Sequence, residues 1–197
     1  MPQPRGPLVA FSRWAGAFGD EVAARVAEWL DYGLFGAEAI DRLAADPALS
    51  ARLDARLDAA QRAAISERVA TVLARAPAAP AGLVRVVATL GERGMAVVLG
   101  RGAASILPPL RALRVLVVAP EAQRAERMAQ AQGIPLPEAV ACIASADSAR
   151  RSALRERFGV AAEDLTHYDL VLNTEALSIE ATAALVVDAL RRRFPLH

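Results

Sequence analysis

The chain has 197 residues, enough for one sizeable hydrophobic core and cramped for two. With 54% hydrophobic and 23% charged residues it excludes a disordered chain, and a net charge of +1 leaves no electrostatic footprint for nucleic acid or an anionic membrane. All 23 basic residues are arginine, so no chemistry here uses a lysine, and the lone Cys142 forms no internal disulfide.

No apolar run approaches the ~18 residues of a spanning helix, and residues 1–7 carry proline and glycine where a secretory signal needs an apolar stretch. The expected compartment is the cytoplasm.

In chain order, Leu8-Val9-Ala10-Phe11 is a short apolar run bounded by turn residues, the pattern of a strand buried on both faces. A helix follows, with Val22, Val26, Trp29 and Leu30 on one face, and then a weaker strand candidate at 32–35. Residues 37–76 predict helix, interrupted at Asp46-Pro47, with Leu49, Leu53, Leu57 and Ala60 on one face, until the prolines at 77 and 80 break it. This helical excursion (37–80) predicts core packing, and the 37–76 helices are also the expected surface for a second copy or a protein partner. Further apolar runs lie at 95–99, 115–118 and 170–172. The final helix has Ile179, Ala183, Val186 and Leu190 on one face, Ser178 at its start, and Arg191-Arg192-Arg193 where a helix dipole favours positive charge. Alternating strands and helices predict an α/β fold in one domain over 1–197. Its parallel sheet has about five strands, helices on both faces, and a ligand site at the strands' carboxyl ends.

The first strand runs into Ser12-Arg13-Trp14-Ala15-Gly16-Ala17-Phe18-Gly19-Asp20-Glu21, and a helix follows. Glycines let a backbone approach an anion, and the free N–H groups of a helix start favour negative charge, so this turn is a candidate phosphate site. The 12–20 turn is expected at the carboxyl end of a central strand. Other segments follow in order: Gly100-Arg101-Gly102 after a strand, Ala119-Pro120 with Arg124, Glu126 and Arg127, Asp147 with Arg150, and Tyr168-Asp169 leading to Asn173-Thr174. Together they resemble the cytidylate-kinase-like branch of the P-loop nucleotide kinases.

That resemblance implies a P-loop kinase fold in which a nucleoside triphosphate and a nucleoside monophosphate meet over the sheet, with ATP and Mg²⁺ as cofactors of an active member. It implies Gly16 and Gly19 as backbone phosphate contacts, with Ser12 and Arg13 beside them. Arg101 is implied as the residue that holds the acceptor monophosphate, and Arg150 with Arg151 as the pair closing over the transferring group from a lid-type region at 136–158. Asn173 and Thr174 are implied near the adenine end. Each also has a plainer reading: Arg13 as a loop cap, Arg101 as a surface ion-pair residue, Arg150 and Arg151 as part of a solvated face shared with Arg155 and Arg157.

The chain departs from the pattern at one place. A phosphate loop of this kind uses a lysine and a metal-binding hydroxyl after its last glycine, whereas Gly19 is followed by Asp20 and Glu21. Phe18 adds bulk inside the turn. Three readings stand: a degenerate family member that keeps nucleotide or phosphate binding but transfers phosphoryl groups weakly or not at all, an active CMP or dCMP kinase relying on arginines, and a structural subunit without ligand. No metal site is predicted, since His167 and His197 lack further ligands at metal spacing, and Cys142 is expected to be a buried small hydrophobe.

Overall fold

A computed structural model describes residues 6–55 and 57–194. Most of the 1–7 segment and His197 therefore lie outside the described residues.

Strand β1 (Leu8–Arg13) is the middle of a five-stranded sheet of order β2-β3-β1-β4-β5, where β2 is Gly33–Phe35, β3 Ala96–Leu99, β4 Ala112–Val118 and β5 Leu170–Asn173. All four pairings are parallel; Val9 lies opposite Val97 on one side and Leu113 on the other. Parallel neighbours need crossover connections, so every strand ends at the same edge of the sheet. The 12–20 turn thus sits at the carboxyl end of the central strand.

Alternation along β1 divides the core in two. Leu8 and Ala10 face one layer, with Ile40, Leu83, Val87, Ile106 and Phe158. Val9 and Phe11 face the other, with Val22 and Val26 of α1 (Gly19–Leu30) and Ala183, Val186 and Leu190 of the C-terminal helix Ile179–Arg193. Each large buried aliphatic contributes about 1.5–3 kcal/mol. The edge strands differ from the expectation of burial on both faces, since Leu34 and Val171 are exposed where no further layer covers them.

The 37–76 stretch forms three helices, α2 (Ala37–Ala45), α3 (Pro47–Asp54) and α4 (Ala59–Arg75). The break at Asp46-Pro47 is a helix start: Asp46 Oδ1 accepts hydrogen bonds from the amides of Ala48 (2.8 Å) and Leu49 (3.2 Å). A second break is unanticipated. Asp58 and Gln61 form a reciprocal cap that begins α4, so Leu49 and Ala60 do not share one continuous face, and Ala60 is exposed. Ile40, Leu53 and Val72 pack with Leu83, Val84 and Val87 of α5 (Ala81–Arg93), which makes the apolar stripe part of this chain's own core.

A short helix α6 (Ala103–Ile106) follows β3, and α7 (Glu121–Gln132) and the 23-residue α8 (Leu136–Phe158) follow β4. The C-terminal helix Ile179–Arg193 is α9. Two expectations fail on burial: Trp29 is 41% exposed on α1, and Cys142 is exposed on α8 because the core of that helix lies on its Ile143, Asp147 and Leu154 side. Among the described residues no helix is long and apolar enough to cross a membrane.

Candidate functional site

Ser12 and Arg13 end β1, and the chain then turns through Trp14 to Phe18 into α1. Gly16 adopts φ +75°, and a Cβ there would stand 2.6 Å from the Arg124 carbonyl oxygen, so both conformation and space require glycine. At Gly19 a Cβ would stand 2.4 Å from the Arg13 Cβ, because the arginine stem crosses directly over the helix start. Phe18 is left-handed at φ 58°, an uncommon conformation for a bulky residue, and no side chain caps the first turn of α1. The Arg127 guanidinium lies 4.1 Å from the Phe18 ring centroid. Burial lowers the Arg127 pKa, against an opposing pull from Glu21.

Behind the turn stands a buried ion pair. Arg124 of α7 donates to both carboxylate oxygens of Asp147 on α8 at 2.9 and 3.2 Å, with side chains 7% and 6% exposed. It also donates to the carbonyls of Ala119 (3.0 Å) and Ala15 (2.9 Å). Asp147 therefore fixes the helix that fixes the turn. Above it, the Trp14 ring has three guanidinium groups around it, those of Arg150 at 4.6 Å, Arg151 at 4.9 Å and Arg124 at 5.9 Å.

A cavity of about 610 Å³ opens where these elements meet the carboxyl edge of the sheet. Among the expected site residues, Ser12, Arg13, Gly16, Arg101 and Arg150 line it. Arg13 forms an ion pair with Asp20 at 3.0 Å. Arg101 sits between Gly100 and Gly102 in a turn of three consecutive left-handed residues and pairs with Asp41 of α2; its Nε is buried without a hydrogen-bond partner. The Arg101 backbone strain is held by Phe158, whose ring lies where a Gly102 Cβ would stand, so the end of α8 is seated on that turn. Arg150 donates to the Tyr168 hydroxyl at 3.0 Å and more weakly to the Ala162 carbonyl at 3.4 Å.

The other expected residues lie elsewhere. Gly19 borders a smaller neighbouring cleft of about 140 Å³. Arg151 is not among the residues lining the cavity and pairs with Glu163 at 2.6 Å. Thr174 is buried behind the turn, donating to the Ala17 carbonyl at 3.0 Å and accepting from Arg127 at 3.1 Å. The exposed Asn173 folds back to accept from the Glu175 amide at 2.9 Å. Asp169 is structural: burial opposes its ionisation, but hydrogen bonds from Arg114 and Arg193 outweigh that and hold its pKa at about 2. Sequence reasoning missed Arg157, which lines the cavity from the last turn of α8 and reads in sequence as one more residue of a charged face.

A magnesium-bound triphosphate does not fit the donor set of this turn. No lysine or hydroxyl follows Gly19, and Asp20 is already engaged by Arg13. The arginine-lined cavity does suit a smaller oxyanion.

A central strand ending in a glycine turn, a 2-3-1-4-5 parallel sheet and an arginine-lined cavity at its carboxyl edge define a P-loop kinase-type α/β protein. The chain belongs to the cytidylate kinase-like family, whose sequence model matches residues 8–176. It is 31% identical over 104 residues to a cytidylate kinase of Aeropyrum pernix, a match spanning 53% of this chain and 60% of that one. It is 34% identical over 84 residues to a cytidylate kinase of Pyrococcus horikoshii, spanning 43% and 44%. The chain thus matches less than two thirds of the length of these curated relatives. A solved Eubacterium ventriosum protein shares the fold at TM-score 0.71 and 15% identity, over 93% of this chain and 98% of that one. A Thermus thermophilus protein does so at TM-score 0.52 and 19% identity, over 96% and 98%.

Proposed function

We propose that this chain is a degenerate cytidylate kinase-like protein that binds a nucleotide or phosphate in its arginine-lined cavity and transfers phosphoryl groups weakly or not at all. The observation that carries this reading is Asp20, an acid where the phosphate loop needs a cation, which also engages Arg13 at 3.0 Å. Phosphoryl transfer depends on positive charge around the transferring group, and removing one well-placed donor costs about 10²–10³ in rate. Ser12, Arg13, Gly16 and Arg101 are the residues proposed to hold the ligand, with Arg150 above it. Thr174 acts through the turn it supports, and Arg151, paired with Glu163, has no direct part.

The test is ADP release with ATP, magnesium and CMP, dCMP, UMP or AMP in turn, beside calorimetric titration with ATP and CMP, each with and without magnesium. Turnover is expected below about 1 per second with every acceptor, against about 1–100 per second for working kinases. Faster turnover that is abolished by Arg150→Ala establishes an active kinase instead, and absence of any nucleotide or phosphate binding leaves a structural subunit.

A further inference from the structure

Resting on the reading above, we infer that Arg157 is the residue that anchors the ligand's anionic group, and that the group is a phosphate monoester dianion rather than a triphosphate. Four arginines line the cavity: Arg13, Arg101, Arg150 and Arg157. Arg13 is neutralised by Asp20 and Arg101 by Asp41, while the lining carboxylate of Asp147 is neutralised by Arg124 from behind. Two positive charges remain, on Arg150 and Arg157. Arg150 is held by neutral groups, the Tyr168 hydroxyl, the Ala162 carbonyl and the Trp14 ring. Arg157 makes no hydrogen bond, ion pair or ring contact among the described residues.

The backbone that carries Arg157 is nonetheless anchored. Its neighbour Phe158 is 9% exposed and packs over Gly102, which ties the last turn of α8 to the turn that carries Arg101. Arg101 lines the same cavity, and its Nε is buried without a hydrogen-bond partner. A phosphate monoester carries about −1.5 to −2 at neutral pH and three acceptor oxygens, which matches two uncompensated guanidinium charges. A triphosphate brings more negative charge than these two guanidinium groups balance.

The experiment is calorimetric titration of the full chain with CMP, ribose 5-phosphate, inorganic phosphate and ATP at fixed ionic strength, in wild type, Arg157→Gln and Arg155→Gln. Arg155 is exposed on the same last turn and does not line the cavity, so it controls for any general effect of helix charge. The tightest ligand among the first three identifies the source of the phosphate. Arg157→Gln is expected to weaken it by about 10- to 100-fold, the loss of a charge-assisted contact, and Arg155→Gln by less than about twofold. In the ligand-free protein the two variants should melt alike, since both remove one charge from a helix C-terminus. Unchanged affinity in Arg157→Gln overturns the assignment while leaving the proposed binding role intact. A melting point lowered well beyond that of Arg155→Gln also overturns it, by making Arg157 structural. ATP binding tighter than every monoester overturns the ligand class, and a wild-type protein that binds none of the four overturns the binding role itself.

Discussion

Replacing Asp147 with alanine removes one half of the buried ion pair and leaves the Arg124 guanidinium behind. Truncating one partner of such a pair costs about 3–5 kcal/mol, because the surviving charge stays desolvated. Here Arg124 keeps two carbonyl acceptors, at 3.0 Å (Ala119) and 2.9 Å (Ala15), so the lower end applies, about 3 kcal/mol. For a chain of this size 1 kcal/mol moves the melting point by about 2–4 °C, giving a fall of about 6–12 °C. Urea unfolding followed by circular dichroism reads the free energy directly. The double replacement Arg124→Met with Asp147→Leu removes both charges and is expected to recover at least about 2 kcal/mol of the loss, since apolar substitutes for a buried pair are commonly close to neutral. If Asp147→Ala unfolds within about 1 kcal/mol of wild type, the pair is not the strut between α8 and the 12–20 turn.

Two further predictions concern the turn and the far edge of the sheet. Gly16→Ala faces both a φ of +75° and a 2.6 Å approach to the Arg124 carbonyl, whereas Gly133→Ala, at φ +66° with nothing within 4 Å, faces only the first. Gly133→Ala should cost about 1–2 kcal/mol in urea unfolding and Gly16→Ala clearly more, and equal costs would remove the close approach as the cause. Asp169 has its folded pKa lowered from 3.8 to about 2, so its stabilisation is complete above about pH 5 and disappears as pH falls from there through about 2. The shift corresponds to about 2.4 kcal/mol, which solvent screening at this partly accessible pair reduces to about 1–2 kcal/mol. The stability difference between wild type and Asp169→Asn should therefore shrink steadily between pH 5 and pH 2 in acid unfolding curves. A difference that stays constant across that range disproves the linkage.

The sheet is legible in the sequence to the extent that its strands are buried. β1, β3 and β4 each contain a four-residue apolar run whose two faces meet helices, and the alternation of such runs with helices predicts the glycine turn at the end of a central strand. β2 is harder to see, being three residues at an edge with Leu34 in solvent. The glycines, Ser12, Arg13, Arg101 and Arg150 are picked out by the ordered resemblance to the cytidylate kinase-like family rather than by period or spacing. Partnerships cannot be read at all: Arg124 reaches Ala15 across 109 residues and Thr174 reaches Ala17 across 157, and such contacts leave no period or spacing. For the same reason Thr174 reads as a ligand contact and is a buried brace, and Arg157 reads as solvated charge and lines the cavity. Cys142 shows the opposite limit, where a small apolar residue one position from the buried Ile143 falls on the outer side of the helix.

Trp14 stands with a ring contact to Arg150, a residue that also lines the cavity. The chain has two tryptophans, and the other, Trp29, is on the far face of α1 in solvent. An indole excited state is strongly dipolar, so cations fixed beside it set the colour and yield of its emission. Any ligand that draws Arg150 toward itself changes that field. With Trp29→Phe the protein becomes its own single-fluorophore sensor: occupancy of the cavity can be followed by light from a residue that never has to touch the ligand, with no label added and on the time scale of mixing.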